Sequence, residues 1–165
     1  MFFYAIIIEI FVIKGVGPVF GKILVPVDGS NISVLLAKTA SRVAAKFGSE
    51  VVLLHVMQLP LPMEVLDPGR EGSTDIYGEI KGRVESFGIR VLKNASGHFA
   101  QTDVALSEKT VWGDPAVEIL REAEQGDYKL IIIGSRSLDD MEAWLIGSVS
   151  NKVVQRSRCP VLVVR

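Results

Sequence analysis

The segment Val51–Val56 reads VVLLHV, six residues with a single histidine among five aliphatics. A strand with one wet face alternates apolar and polar side chains. A strand apolar throughout needs cover on both faces, which a parallel sheet flanked by helices supplies. Runs of the same kind recur at Lys22–Val27 (KILVPV), Leu130–Ile133 (LIII) and Pro160–Val164 (PVLVV), and Asp103–Val111 alternates more loosely. Helical periods lie between them. Ile32, Leu35, Leu36, Thr39, Ala40, Val43, Ala44 and Phe47 share one face, with Ser30 or Asn31 placed to cap the start and Gly48 the end. After a proline- and glycine-containing loop over Gln58–Thr74, a second face runs through Ile76, Ile80, Val84, Phe87, Val91, Ala95 and Phe99. Gly78, Gly82 and Gly88 weaken that helix by roughly 1 kcal/mol each relative to alanine. Asp114-Pro115 is a cap followed by proline at the first helical position, opening a helix to about Gln125, and Trp144–Arg156 is the last helical stretch. Strands and helices therefore alternate strictly, which predicts an α/β fold: an open, doubly wound sheet of five parallel strands. No repeat or linker interrupts it, so residues 21–165 read as one domain behind a distinct segment, 1–20.

That leading segment is anomalous. Twelve of its first thirteen residues are apolar, only Glu9 interrupting, while the remainder of the chain is about 44% apolar, normal for a globular domain. A membrane-spanning helix needs about 20 apolar residues, and this run stops at Lys14, so no integral span is expected. A secretory signal would carry positive charge before the apolar core and a small-residue cleavage site after it; neither is present. Its β-branched and aromatic content favours a strand. The open readings are an added strand or flap, a weak membrane association, or a start codon misplaced upstream of Val19, from which translation would begin Met-Phe-Gly-Lys.

Charge and cysteine usage exclude further classes. With 18 basic and 19 acidic residues, the chain is neither a basic nucleic-acid-binding domain nor an acidic tail protein. One cysteine cannot form an internal disulfide, which fits a reducing, cytoplasmic setting, and Cys159 beside Pro160 reads as a buried structural thiol. Cys159, His55 and His98 are too few for a zinc cluster. His55, inside an apolar strand, reads as a core histidine.

In doubly wound sheets, ligands bind beyond the carboxyl ends of the strands, where the strand order reverses. The informative residues are therefore Asp28, Val56 and the chain from Gly134 onward. Gly134-Ser135-Arg136-Ser137 is followed, nine residues later, by Gly147-Ser148-Val149-Ser150. Glycines admit close backbone approach, and Gly147 opens the last helix, whose free N–H groups and dipole suit a phosphate. Ser148 and Ser150 add hydroxyls, and Arg136 could add charge. The plainer reading is that Gly134 ends a strand and Gly147-Ser148 caps a helix; spacing alone does not separate the two. Asp28 also has a plain reading, as a turn residue ahead of a cap.

These pieces together resemble the universal stress protein family: KILVPVDGS at Lys22–Ser30, VVLLHV at Val51–Val56, Gly113-Asp114-Pro115, IIIGSRS…GSVS from Ile131 to Ser150, and CPVLVV at Cys159–Val164. The resemblance spans residues 22–165. It implies a Rossmann-like fold of the adenine nucleotide alpha hydrolase-like type, strand order 3-2-1-4-5, that binds ATP, with Mg or Mn as accompanying ion, and serves in stress response or regulation. It implies a homodimer through Val161–Val164, and it places Pro26, Asp28 and Val56 on the adenine and ribose wall. Ile133, Gly134, Ser137, Gly147, Ser148, Val149 and Ser150 fall on the phosphate side. The family's ATP motif is glycine, two residues, glycine, nine residues, glycine, then serine or threonine. Here Ser137 stands at the second glycine. If the backbone there needs positive φ, serine costs roughly 1–2 kcal/mol, about tenfold in affinity. A branch of the family without this loop does not bind ATP, so a nucleotide-free interaction module is the alternative.

Other machinery is missing. Gly21-Lys22 is no Walker sequence, Gly15-Val16-Gly17 lacks the third glycine of a dinucleotide fingerprint, and there is no Gly-x-Ser-x-Gly elbow. Asp139, Asp140 and Glu142 between the motif glycines could hold a divalent ion, though a solvated loop face is the simpler reading. Without an evident base, binding is expected over turnover, with slow ATP hydrolysis the remaining enzymatic option.

Overall fold

The structure, a computed structural model, describes residues 20–60, 73–135 and 147–165. The apolar leader, Arg136, Ser137 and the carboxylates Asp139, Asp140 and Glu142 lie outside the described residues. Five strands follow in chain order: β1 (Lys22–Pro26), β2 (Glu50–Met57), β3 (Leu106–Trp112), β4 (Leu130–Gly134) and β5 (Val161–Val164). All pair in parallel, in the order β3-β2-β1-β4-β5, as expected. From β1 in the middle the sheet winds out to β3, then crosses back to β4 and β5. The order reverses between β1 and β4.

The helices are α1 (Asn31–Phe47), α2 (Ser73–Ser96), α3 (Pro115–Gln125) and α4 (Ser148–Arg156). Alternation along the strands divides the core into two layers. Ile23, Val25, Val51, Leu53 and Ile132 pack with the buried faces of α1 and α2. Leu24, Val52, Leu54, Ile131 and Ile133 pack with Ile119 of α3 and Val153 of α4. Both faces of the central strands are therefore dry, which is why β2 and β4 read as unbroken apolar runs. β3, an edge strand, is mostly exposed, and its looser alternation follows from that.

Several boundaries differ from the expected ones. β3 begins at Leu106 rather than Asp103, because Gln101–Ala105 carries the chain across from the preceding helix. The expected helix through Phe99 ends at Ser96 and tightens into a 3-10 turn over Gly97–Phe99. The last helix starts at Ser148, with Gly147 as its N-cap; the expected Trp144–Ile146 portion lies outside the described residues. Ser30 occupies the N-cap position of α1, but its side chain makes no capping bond. At the other end of α1, Gly48 takes the left-handed conformation (φ 65°) and returns its N–H to the Ala44 carbonyl. Asp114 caps α3 as expected, accepting from the Val117 N–H at 3.1 Å, with Pro115 at the first helical position. Cys159 is half-buried rather than buried, because it sits in the turn before β5 with its sulfur 3.5 Å from the Ser157 hydroxyl.

One polar network fastens α3 to the sheet. The buried Glu122 carboxylate accepts from Lys109 Nζ at 2.6 Å and from the Tyr128 hydroxyl at 2.8 Å. Burial pushes its pKa up, but the Lys109 and Tyr128 donors outweigh burial and hold it below the ordinary carboxylate value. The Tyr128 hydroxyl is driven above its ordinary range, by burial first and then by the carboxylate that accepts from it.

Candidate functional site

Two interruptions of the sheet open a crevice around the end of β1. Val27 donates its N–H to the Leu54 carbonyl at 2.9 Å, on the β2 side. Backbone groups alternate sides along a strand, so Pro26 faces β4, where it has no N–H to offer. Pairing of β1 with β4 is accordingly confined to Ile23↔Leu130 and Leu24↔Ile131. On the other side β2 outruns β1: its pairing with β1 stops at Leu54, while its pairing with β3 continues to Met57. Met57 accepts from the Gly113 N–H at 3.1 Å on the β3 side. The same alternation turns the N–H and carbonyl of Val56 toward β1, and among the described residues no backbone group meets them there.

β1 has by then turned away through Asp28-Gly29. Gly29 sits at φ 82°, and a Cβ on it would stand 2.7 Å from Val91 and 3.2 Å from Phe87. Only glycine satisfies both the conformation and the contact. Asp28 Oδ1 accepts from the Ser30 N–H at 3.0 Å, the Ser30 hydroxyl at 2.6 Å and the Ser33 hydroxyl at 3.1 Å. The carboxylate is thus held at the entrance of α1 by the residues that begin the helix.

The crevice is a cavity of about 620 Å³, within the range of small-molecule sites. Pro26, Asp28, Val56, Ile133, Gly134, Gly147, Ser148, Val149 and Ser150 all line it. Of the expected site residues only Ser137 is outside the described part. Gly134 makes room on the β4 side: a Cβ there would be 3.0 Å from Ile32. On the far wall α4 begins with Gly147, whose carbonyl accepts the first helical bond from Asn151 at 2.8 Å. A glycine cap brings no side-chain acceptor, so the N–H groups of Ser148, Val149 and Ser150 have none within the helix. Ser150 is buried, and its hydroxyl donates to the Gly147 carbonyl at 2.9 Å, which steadies the cap.

The wall also contains residues that sequence reasoning did not place. Pro115 and Ile119 of α3 and Arg83 and Val84 of α2 line the cavity. Phe87, expected on the buried face of α2, is 44% exposed and forms part of the cavity wall. His55 is buried as expected, at 5% exposure, yet it too borders the cavity. The i, i+4 step from Arg83 to Phe87 was the one available signal, but which face of α2 overhangs the crevice depends on how that helix docks. Arg83 is the single cation among the described lining residues, and it is paired with Glu79 at 2.6 Å. The described walls therefore combine an apolar slot, one carboxylate, an open backbone edge and an uncapped helix start.

Comparison with known proteins agrees with this architecture. The model of the universal stress protein family matches residues 20–165. A universal stress protein of Bacillus subtilis (strain 168) is 34% identical over 147 residues, covering 88% of this chain and 99% of that protein. Universal stress protein MJ0577 of Methanocaldococcus jannaschii is 27% identical over 157 residues, covering 88% of this chain and 95% of its own length. The solved structure of MJ0577 superposes with a TM-score of 0.72 at 26% identity, covering 88% of this chain and 96% of that one. A universal stress protein solved in complex with cAMP shares the fold, with a TM-score of 0.62 at 22% identity over 88% of this chain and 97% of that one. By the extent of these matches, and by the sheet that carries them, the chain belongs to the universal stress protein family.

Proposed function

We propose that the cavity at the end of β1 binds an adenine nucleotide, ATP, and that the chain is a dimeric stress-response or regulatory module. The observation that carries this reading is the pairing, across one crevice, of the open N–H and carbonyl of Val56 with the uncapped start of α4. A backbone donor beside a backbone acceptor suits the ring edge of adenine, which offers an acceptor nitrogen next to an amino group. The α4 N–H groups and helix dipole suit phosphates. Relatives solved with cAMP, dAMP and AMP share the fold, and those ligands share an adenine base and a phosphate.

The described residues build no cage for a metal: no group of three or more His, Cys, Asp or Glu comes together among them. Mg or Mn would accompany the nucleotide's phosphates. β5, at the edge of the five-stranded sheet, supports the dimer reading. Ile131 N–H bonds to the Pro160 carbonyl, and Ser135 N–H to the Val164 carbonyl. Alternation then turns the backbone groups of Val161 and Val163 outward, ready to pair with a second chain. Among the described residues no helix is long and apolar enough to cross a membrane, and the lone thiol accords with a cytoplasmic setting.

Calorimetric titration with ATP, AMP and adenosine in the presence of Mg²⁺ tests the reading. Saturable binding of ATP and AMP supports it, and no heat at millimolar ATP overturns it. Phosphate release under the same conditions separates binding from slow hydrolysis.

A further inference from the structure

His55 has a partner that a merely buried histidine would not need to choose. Its Nδ1 stands 2.8 Å from the Val27 carbonyl, and because a carbonyl only accepts, Nδ1 carries the proton. Val27, the residue after β1, makes the last backbone bond to β2, through its N–H on Leu54. In a regular parallel ladder the next bond in the series would run from the Val56 N–H to that same Val27 carbonyl. That bond is not made; the carbonyl bonds the imidazole of the residue before Val56 instead. The ring is held from the other side by α2, its edge against Phe87 at 5.9 Å between centroids, and by the close approach of Gly88.

We infer that His55 is a positioning residue of the nucleotide site: by taking the Val27 carbonyl, it stops the β1–β2 ladder one bond early and leaves the Val56 N–H open to the base. The inference rests on reading the cavity as an adenine-nucleotide site. Without the imidazole donor, Val27 would lose a buried partner and its nearest replacement is the Val56 N–H. The ladder would then close by one bond, and the base would meet a carbonyl with no donor beside it.

Two variants and two readouts test this. His55→Asn keeps an N–H near the place of Nδ1, whereas His55→Leu keeps apolar bulk without a donor. In ligand-free protein, amide exchange of Val56 followed by NMR is expected to slow about tenfold in His55→Leu and to stay near the wild-type rate in His55→Asn. General loosening of the fold would speed exchange, the opposite sign, and that result overturns the inference. In calorimetry, ATP is expected to weaken about tenfold in His55→Leu, the loss of one hydrogen bond, and less than about threefold in His55→Asn. Inorganic tripolyphosphate, which has no base, should bind both variants alike. Equal losses for ATP and tripolyphosphate in His55→Leu would reduce His55 to a structural role. If wild-type protein binds no ATP, the functional reading fails, while the Val56 exchange rates still decide the role of His55.

Discussion

Alanine replacing glycine should have opposite effects along one helix, α2. At Gly78 and Gly82 a Cβ would meet nothing within 4 Å. Alanine there narrows the unfolded ensemble and improves helix propensity, a gain of about 1 kcal/mol at an interior position. At Gly88 the Cβ would stand 2.8 Å from His55 Cδ2 and 3.5 Å from Met57 Cγ. The imidazole cannot swing aside without giving up its 2.8 Å bond to the Val27 carbonyl. Overpacking of this kind costs about 1–3 kcal/mol, so the propensity gain is cancelled or exceeded. Gly82→Ala should therefore raise stability by about 1 kcal/mol, and Gly88→Ala should lower it by up to about 2 kcal/mol.

Urea unfolding at fixed pH measures the difference, provided the slope against urea is unchanged. For a domain of this size each kcal/mol corresponds to about 2–4 °C in Tm. The cause is isolated by repeating Gly88→Ala in a His55→Ala background, where the obstructing ring is gone. There the alanine should become stabilising, with a coupling energy of about 2 kcal/mol in the double-mutant cycle. Shifts from Gly82→Ala and Gly88→Ala that agree within about 0.5 kcal/mol would show that α2 does not press on His55, and would remove one support of the ring's position.

Three further outcomes are expected. Ser148→Glu puts an acidic residue in the exposed first turn of α4, which favours the helix but opposes a bound phosphate. Calorimetry should show ATP weakened about tenfold or more and adenosine unchanged, and equal loss of both would place the phosphates elsewhere. Val163→Pro deletes an outward N–H of β5 without touching the bonds to β4, so sedimentation should give a folded monomer. A dimer that persists would exclude pairing through this edge. Tyr128→Phe removes a donor from ionised Glu122 and should cost about 1–2 kcal/mol at pH 7. Because Glu122 is held below its ordinary value of 4.5, its contribution is present above that value and lost as the pH falls through the lowered one. The gap between wild type and Tyr128→Phe in urea midpoints should therefore narrow in acid, and a gap independent of pH would mean that Glu122 is not the acceptor that matters.

The parallel sheet and both layers of its core were legible because burial on two faces leaves a signal in the residues themselves, whereas the strand order came only with the family resemblance. Val51–Val56 can be apolar throughout only if both sides of β2 are covered, and they are. The helix starts were less legible where backbone and side chains compete for the same bonds. Ser30 reads as a cap for α1, but Asp28, two residues earlier, takes the Ser30 and Ser33 hydroxyls and leaves Ser30 only the position. The contribution of α2 to the cavity was legible only as the Arg83–Phe87 spacing, which does not say where the helix docks. Phe87 belongs to the periodic apolar face of its helix, and only the docking of that helix over the strand ends turns it outward to 44% exposure.

The site itself arises from the sheet failing to pair, and the two failures have different legibility. Pro26 is visible in sequence as a residue that cannot donate, and once β1 is known to be central, a lost bond toward β4 or β2 follows from its chemistry alone. Which neighbour loses the bond is decided by register, which the Val27 to Leu54 bond reveals. The failure on the β2 side has no such mark, because histidine in a strand carries no rule about its neighbour's backbone. It becomes visible only when the ring is found on the Val27 carbonyl, where a ladder bond would otherwise form. An opening made by a side chain is also adjustable, whereas one made by proline is permanent. Proline thus bars a bond on the β4 side of β1 permanently, while on the β2 side the turn at Asp28-Gly29 parts the strands and His55, by holding the Val27 carbonyl, keeps the Val56 donor open.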